Sequence, residues 1–214
     1  MDRVWDGLDL SMSALFQTIF GAHASAAAAS YDLVEENCEG AGTPSGWTNS
    51  GSPNWDYTAT VLQGSESCLQ SAGSTSYDTF TAAGTAYGYA LIRVGTLPGS
   101  TITICGFRAT DDSARGLVRM NTSGQIAMFA NGSDSSFTVD AMSTGVTYHL
   151  WWNFTASGAC EVGFSTDGTK PTSGNKFVTK TGGSGTVGRY SIYGTTNVIF
   201  DRMLASTTAI GNSP

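Results

Sequence analysis

A chain of 214 residues and 22.2 kDa fits a single domain. Only 13% of residues are charged and 27 are Gly, which excludes a helical bundle with Glu- and Lys-rich faces, while 40% hydrophobic residues supply enough core to exclude global disorder. The net charge of -7, with ten Lys and Arg scattered along the chain rather than clustered, excludes binding to nucleic-acid phosphates and disfavours anionic membrane surfaces.

The first thirty residues form a segment of their own. Leu8, Met12, Leu15 and Ile19 recur at three- and four-residue spacing beside Phe16 and Phe20, which predicts an amphipathic helix from Leu8 to about Ala28. The leader MDRVWDGLDL carries Asp2, Asp6 and Asp9 against Arg3, the opposite of the positive start of an export signal. The apolar stretch Ala14 to Phe20 falls far short of the ~20 residues of a membrane span and contains Gln17 and Thr18. Such an arm must bury its apolar stripe, either on its own domain or on a neighbouring chain, and Leu15, Phe16, Ile19 and Phe20 are its candidate assembly residues.

From Tyr31 the pattern changes to short alternating runs between turn signals, the pattern of an antiparallel β-sandwich. The predicted strands are Tyr31 to Cys38, Ser67 to Gln70, Gly88 to Val94, Thr101 to Arg108, Gly116 to Asn121, Gln125 to Ala130, Ser136 to Asp140, Thr147 to Thr155, Ala159 to Ser165, Thr186 to Tyr193 and Asn197 to Met203. Turns fall at Asn121-Thr-Ser-Gly124, Asn131-Gly-Ser133, Ala156-Ser-Gly158 and Thr166-Asp-Gly168. In the clearest strand Tyr148, Leu150, Trp152 and Phe154 share one face, the predicted core face. Trp151, on the other face with His149 and Asn153, then needs a cover, either the N-terminal helix or a partner.

The cysteines at 38, 68, 105 and 160 have no CxxC spacing and no nearby His, so zinc is not expected; two disulfides or buried free thiols remain open. Calcium could lie where Asp111, Asp112, Asp134 or Asp167 meets backbone carbonyls, but no run has the acidic density of a calcium loop, and no metal or cofactor is assigned. Asp111 and Asp112 read as solvated turn residues. The five glutamates, Glu35, Glu36, Glu39, Glu66 and Glu161, include no pair spaced to share a strand face as a glycosidase requires. His23 and His149 have no nucleophile nearby in sequence, and there is no nucleophile elbow or phosphate loop, so no enzyme is expected. Trp47, Trp55 and Tyr57, among Asn49, Asn54 and Asp56, have the chemistry of a carbohydrate site; the competing reading is that these rings pin a long loop to the sandwich.

The run YHLWWNFTASGACEVGFSTDG (Tyr148 to Gly168) resembles the central hairpin of concanavalin A-like and laminin-G-like sandwiches. The tail NVIFDRMLASTTAIGNSP resembles their closing strand, and EENCEGAGTPSGWTNSGSPNWDYT followed by GSESCLQ resembles an opening seen in bacterial surface proteins and in bacteriophage virion or tail proteins. The resemblance covers residues 31–214 and implies a jelly roll, all-β; residues 1–30, read from their spacing as a helical or extended arm, lie outside it. Fold alone assigns no ligand. Joined to a chain that begins at Met1 without an export signal, it gives the expectation of a non-enzymatic virion-surface component, homo-oligomeric and partnered by other virion or surface proteins, with glycans as further contacts. The alternative is a carbohydrate-binding or adhesion module of a bacterial cell surface; a glycoside hydrolase or lyase is the remote one.

Overall fold

The computed structural model describes residues 31–39, 42–50, 55–56, 62–64, 66–70, 74–194 and 198–214, all within the unit Tyr31–Pro214. The expected arm, with Leu15, Phe16, Ile19 and Phe20, lies outside the described residues. No helix among the described residues is long and apolar enough to cross a membrane.

The strands are β1 (Val34–Glu36), β2 (Trp47–Ser50), β3 (Trp55–Asp56), β4 (Cys68–Gln70), β5 (Thr75–Ala83), β6 (Thr85–Val94), β7 (Ile102–Arg108), β8 (Ala114–Met120), β9 (Ile126–Ala130), β10 (Ser133–Asp134), β11 (Thr147–Thr155), β12 (Ala159–Ser165), β13 (Phe177–Thr181), β14 (Val187–Tyr193) and β15 (Val198–Ser206). They form two antiparallel sheets. The first runs β13-β12-β11-β6-β15-β4-β3, with β1 also on β15; the second runs β10-β9-β8-β7-β14-β5-β2.

The predicted core face of β11 is the core face: Tyr148, Leu150, Trp152 and Phe154 all join the cluster between the sheets. Trp152 lies 5.8 Å from the Phe107 ring and 5.3 Å from Tyr190 of the facing sheet. Its strand partner is Gly88, where a Cβ would come within 2.3 Å of the indole, so a side chain on β6 would expel the ring. Turn chemistry follows the sequence too. Asn131 and Gly132 both take positive φ between β9 and β10, and Asn121 Oδ1 accepts the Ser123 and Gln125 N–H groups in the β8–β9 turn.

Two expectations are corrected here. Residues 136–140 form no strand; the Ser135 and Thr138 N–H groups donate to the Met128 and Ile126 carbonyls, but the return bonds from Met128 and Ile126 N–H go to Ser135 Oγ and Thr138 Oγ1, so hydroxyls replace half of the expected ladder. Trp151 has a cover that the sequence reading does not name. Its indole donates to the carbonyl of Gly211 at 3.0 Å, and Ile210 packs with it, Tyr89 and Leu204 in a second cluster on the outer face of the first sheet. The chain's own C-terminal tail is the cover.

The cysteines divide between the two open readings. Cys38 and Cys68 form a disulfide with Cα atoms 5.6 Å apart, while Cys105 and Cys160 are free and buried, and burial pushes the Cys105 thiol well above its ordinary pKa.

Candidate functional site

The aromatic loop does not offer the expected stacking platform. Trp47 and Trp55 are 7% and 6% exposed and belong to the main core. Trp47 packs edge-on against Trp55 at 5.3 Å and against Tyr190 at 5.9 Å, and the Trp55 indole donates to Asn49 Oδ1. Pairing with β5 fixes Trp47 on the inner face of β2, so the pinning reading describes these two rings. Tyr57 lies outside the described residues.

A different face gathers polar and aromatic groups. In β14 Tyr190 and Ile192 point into the core, which leaves Arg189, Ser191 and Tyr193 on the outer face of the second sheet. Register then builds two transverse rows. Thr48, Tyr77, Ser191, Gly106, Leu117 and Phe129 stand opposite one another across β2, β5, β14, β7, β8 and β9, and Thr79, Arg189 and Arg108 form the adjacent row. An open groove of about 480 Å³ lies here, lined by Ser50, Thr75, Tyr77, Arg108, Asp112 and Arg189.

Both guanidiniums of the groove converge on one carboxylate. Asp112 Oδ1 accepts from Arg189 Nη1 at 3.1 Å and lies 3.2 Å from Arg108 Nε, which donates to the Asp112 carbonyl at 2.7 Å. Arg108 Nη1 also donates to the Tyr193 hydroxyl at 2.8 Å, and the Arg189 guanidinium rests 4.4 Å from the centre of the Tyr77 ring. Burial raises the Tyr193 pKa although the Arg108 cation opposes it, so the phenol remains a neutral hydrogen-bonding group. Stacking on Tyr77 orients the Arg189 plane, while its Nε is buried with no partner among the described residues. Ser191 Oγ, in the Tyr77 row, is likewise buried without a partner there.

The cations that are scattered in sequence are therefore neighbours in space. Asp112, expected as a solvated turn residue, organises both arginines, while Asp111 does cap its turn, accepting from Ser113 N and Oγ. The alternation R-Y-S-I-Y over 189–193 is the one sequence signal of this face.

The other expected chemistry is dispersed. His149 stacks on Trp151 with an interplanar angle of 18° and shares a 2.8 Å hydrogen bond with the Tyr89 hydroxyl; burial lowers its pKa, and Asp167 opposes the shift. Glu161 is tied to Asn153, its N–H donating to Asn153 Oδ1 at 2.7 Å. Asp134 pairs with Arg119 at 3.0 Å. Among the described residues, no three His, Cys, Asp or Glu side chains gather as a metal site.

Neither a family model nor a curated protein matches the sequence. Solved structures do match the fold. A cellulose induced protein, Cip1, superposes with a TM-score of 0.60 at 15% identity over 83% of this chain and 99% of its own. The exoplasmic/lumenal domain of VIP36, in a form bound to Ca2+ and Man2, gives 0.53 at 13% identity over 86% and 90%. An endo-β-1,4-glucuronan lyase from the fungus Trichoderma reesei gives 0.50 at 13% identity over 75% and 87%. The shared fold is the antiparallel β-sandwich of two sheets described above. At such identities the likeness is one of architecture, shared by lectin-like and lyase chains alike.

Proposed function

We propose that this chain is a carbohydrate-binding β-sandwich, and that its ligand occupies the outer face of β5, β14 and β7. The observation that carries the reading is the groove itself: a Tyr77 ring and fixed guanidinium donors stand together in an open cleft. Saccharides present apolar C–H faces and hydroxyl rims, and aromatic planes with a few oriented donors recognise both. The VIP36 match, a mannose-bound form of the same fold, is consistent with this use. The reading is of binding without cleavage, since among the described residues Asp112 is the single carboxylate lining the groove and both its neighbours hold it as an ion-pair partner. A cell-surface or extracellular setting, where glycans are met, goes with it. The virion expectation draws on residues 1–30, which lie outside the described residues, and on a resemblance that the solved structures reported above do not extend to phage proteins.

The test is retention of the protein in gels containing a panel of neutral and acidic polysaccharides. Retardation by at least one glycan, removed by Tyr77→Ala at an unchanged melting temperature, supports the proposal. A Tyr77→Ala protein retarded like the parent, or a parent retarded by none, overturns it.

A further inference from the structure

We infer that the ligand of this groove is an acidic saccharide, recognised through a sugar carboxylate by Arg108 and Arg189; the inference rests on the carbohydrate reading above. Two guanidiniums face one carboxylate here, so the groove keeps a net positive charge in a chain whose formal charge is -7. The arginines are cross-strand partners, Arg189 opposite Arg108, and like charges in that position are destabilising unless an anion lies between them. Asp112 supplies that anion only in part. Its side chain is 58% exposed, whereas those of Arg189 and Arg108 are 20% and 21% exposed. The carboxylate thus stands at the rim, and the cations form the wall.

The donor inventory points the same way. A guanidinium offers five N–H donors in a planar fork suited to a carboxylate. Among the described residues Arg189 places only Nη1 in a hydrogen bond. Arg108 uses Nε and Nη1, on Asp112 and Tyr193. Neutral sugar hydroxyls would satisfy such donors but leave the excess charge uncompensated; a uronate carboxylate meets both needs. Tyr77, held against Arg189, adds an aromatic surface beside the charge, which separates a sugar acid from a simple anion.

The deciding experiment compares the intact protein on three polymers at equal monomer concentration: a polyuronate, the same polyuronate after reduction of its carboxyl groups to neutral alcohols, and dextran sulfate. α- and β-linked polyuronates are both included because linkage is a separate variable. The expected result is retardation by a polyuronate, weakened at least about tenfold by carboxyl reduction and by either Arg189→Gln or Arg108→Gln, and weakened by salt. Equal retention on the carboxyl-reduced polymer overturns the acidic-sugar inference while the carbohydrate reading stands. Equal retention on dextran sulfate shows general anion exchange and overturns the inference, and retention on none of the three overturns the inference, while the carbohydrate reading falls only if the wider panel of neutral and acidic polysaccharides also fails. The polymer comparison uses the unaltered protein, so the outcome does not depend on the folding of a variant.

Discussion

The two outer faces of the sandwich have opposite fates. Across the first sheet, register aligns Phe177, Gly163, Trp151, Tyr89 and Leu204 in one row, and the C-terminal tail closes over its middle with Ile210 and the Gly211 carbonyl. Across the second sheet the corresponding row runs Thr48, Tyr77, Ser191, Gly106, Leu117 and Phe129, and a groove stays open at one end of it, where Tyr77 meets Arg108 and Arg189. An outer face built of large apolar rings must be buried, because exposing each would forgo about 1.5–3 kcal/mol. The part of the second face that carries Arg108, Arg189, Asp112 and Tyr77 is polar enough to stand open and remains available to a ligand. The same period-two geometry therefore produces a strapped face and a reading face.

The adjacent residues Trp152 and Trp151 give the sharpest way to break this comparison. Trp152→Ala, between the sheets, is expected to lose about 3–5 kcal/mol in denaturant unfolding; a loss under about 1 kcal/mol would contradict the register of β11. Ending the chain after Ala209 removes Ile210, 3% exposed, and the acceptor of the Trp151 indole, with an expected loss of about 2–4 kcal/mol. In that shortened chain Trp151→Ala should cost clearly less than in the full chain, because the two act on one cluster. Additive losses would show that something else covers the ring. Replacing Cys38 and Cys68 together by Ser should lower stability by about 2–4 kcal/mol through the freed loop, with glycan retention unchanged.

Much of the sandwich is legible in the sequence, and the exceptions have physical reasons. The strands at 147–155 and 159–165 are read to their ends because alternation is strong on both faces. β5, TSYDTFTAA, escapes because its inward positions include Ser76 and Asp78, so no apolar stripe marks it. The site escapes with it, since Tyr77 lies on β5 and since Arg108 and Arg189 meet only through the pairing of β7 with β14. Trp47 and Trp55 misdirect the reading because a tryptophan between asparagines has the same composition whether it pins a loop or stacks on a sugar. The tail's part in covering Trp151 is not legible because a lone Ile210 among polar and small residues carries no pattern.

Smaller effects sharpen the comparison further. Burial lowers the pKa of His149 on the strapped face below the ordinary imidazole value, so the unfolded chain takes up its proton first. Its contribution is present above that pH and is lost as pH falls below it. The melting temperature of the parent should therefore drop more steeply than that of His149→Gln over this acid range; parallel curves would remove His149 from the account. Glu36, Asp78 and Asp201, raised by burial, act with the opposite sign in both proteins, which is why the difference between them is the quantity to follow. On the open face Arg189→Ala should change stability by no more than about 1 kcal/mol, because its ion pair is partly solvated, while glycan retention falls. A large loss of stability would make Arg189 a structural residue instead.

The most direct measurement is an NMR titration of the intact protein with a short uronate oligosaccharide, because both faces carry their own reporters. The account predicts progressive shifts at the amides of Tyr77, Ser191 and Arg108, with the Trp151 indole N–H, bonded to the Gly211 carbonyl, left in place. Shifts centred on the Trp151 indole and residues 207–214, with Tyr77 and Ser191 unmoved, would contradict it and make the strapped face the binding surface.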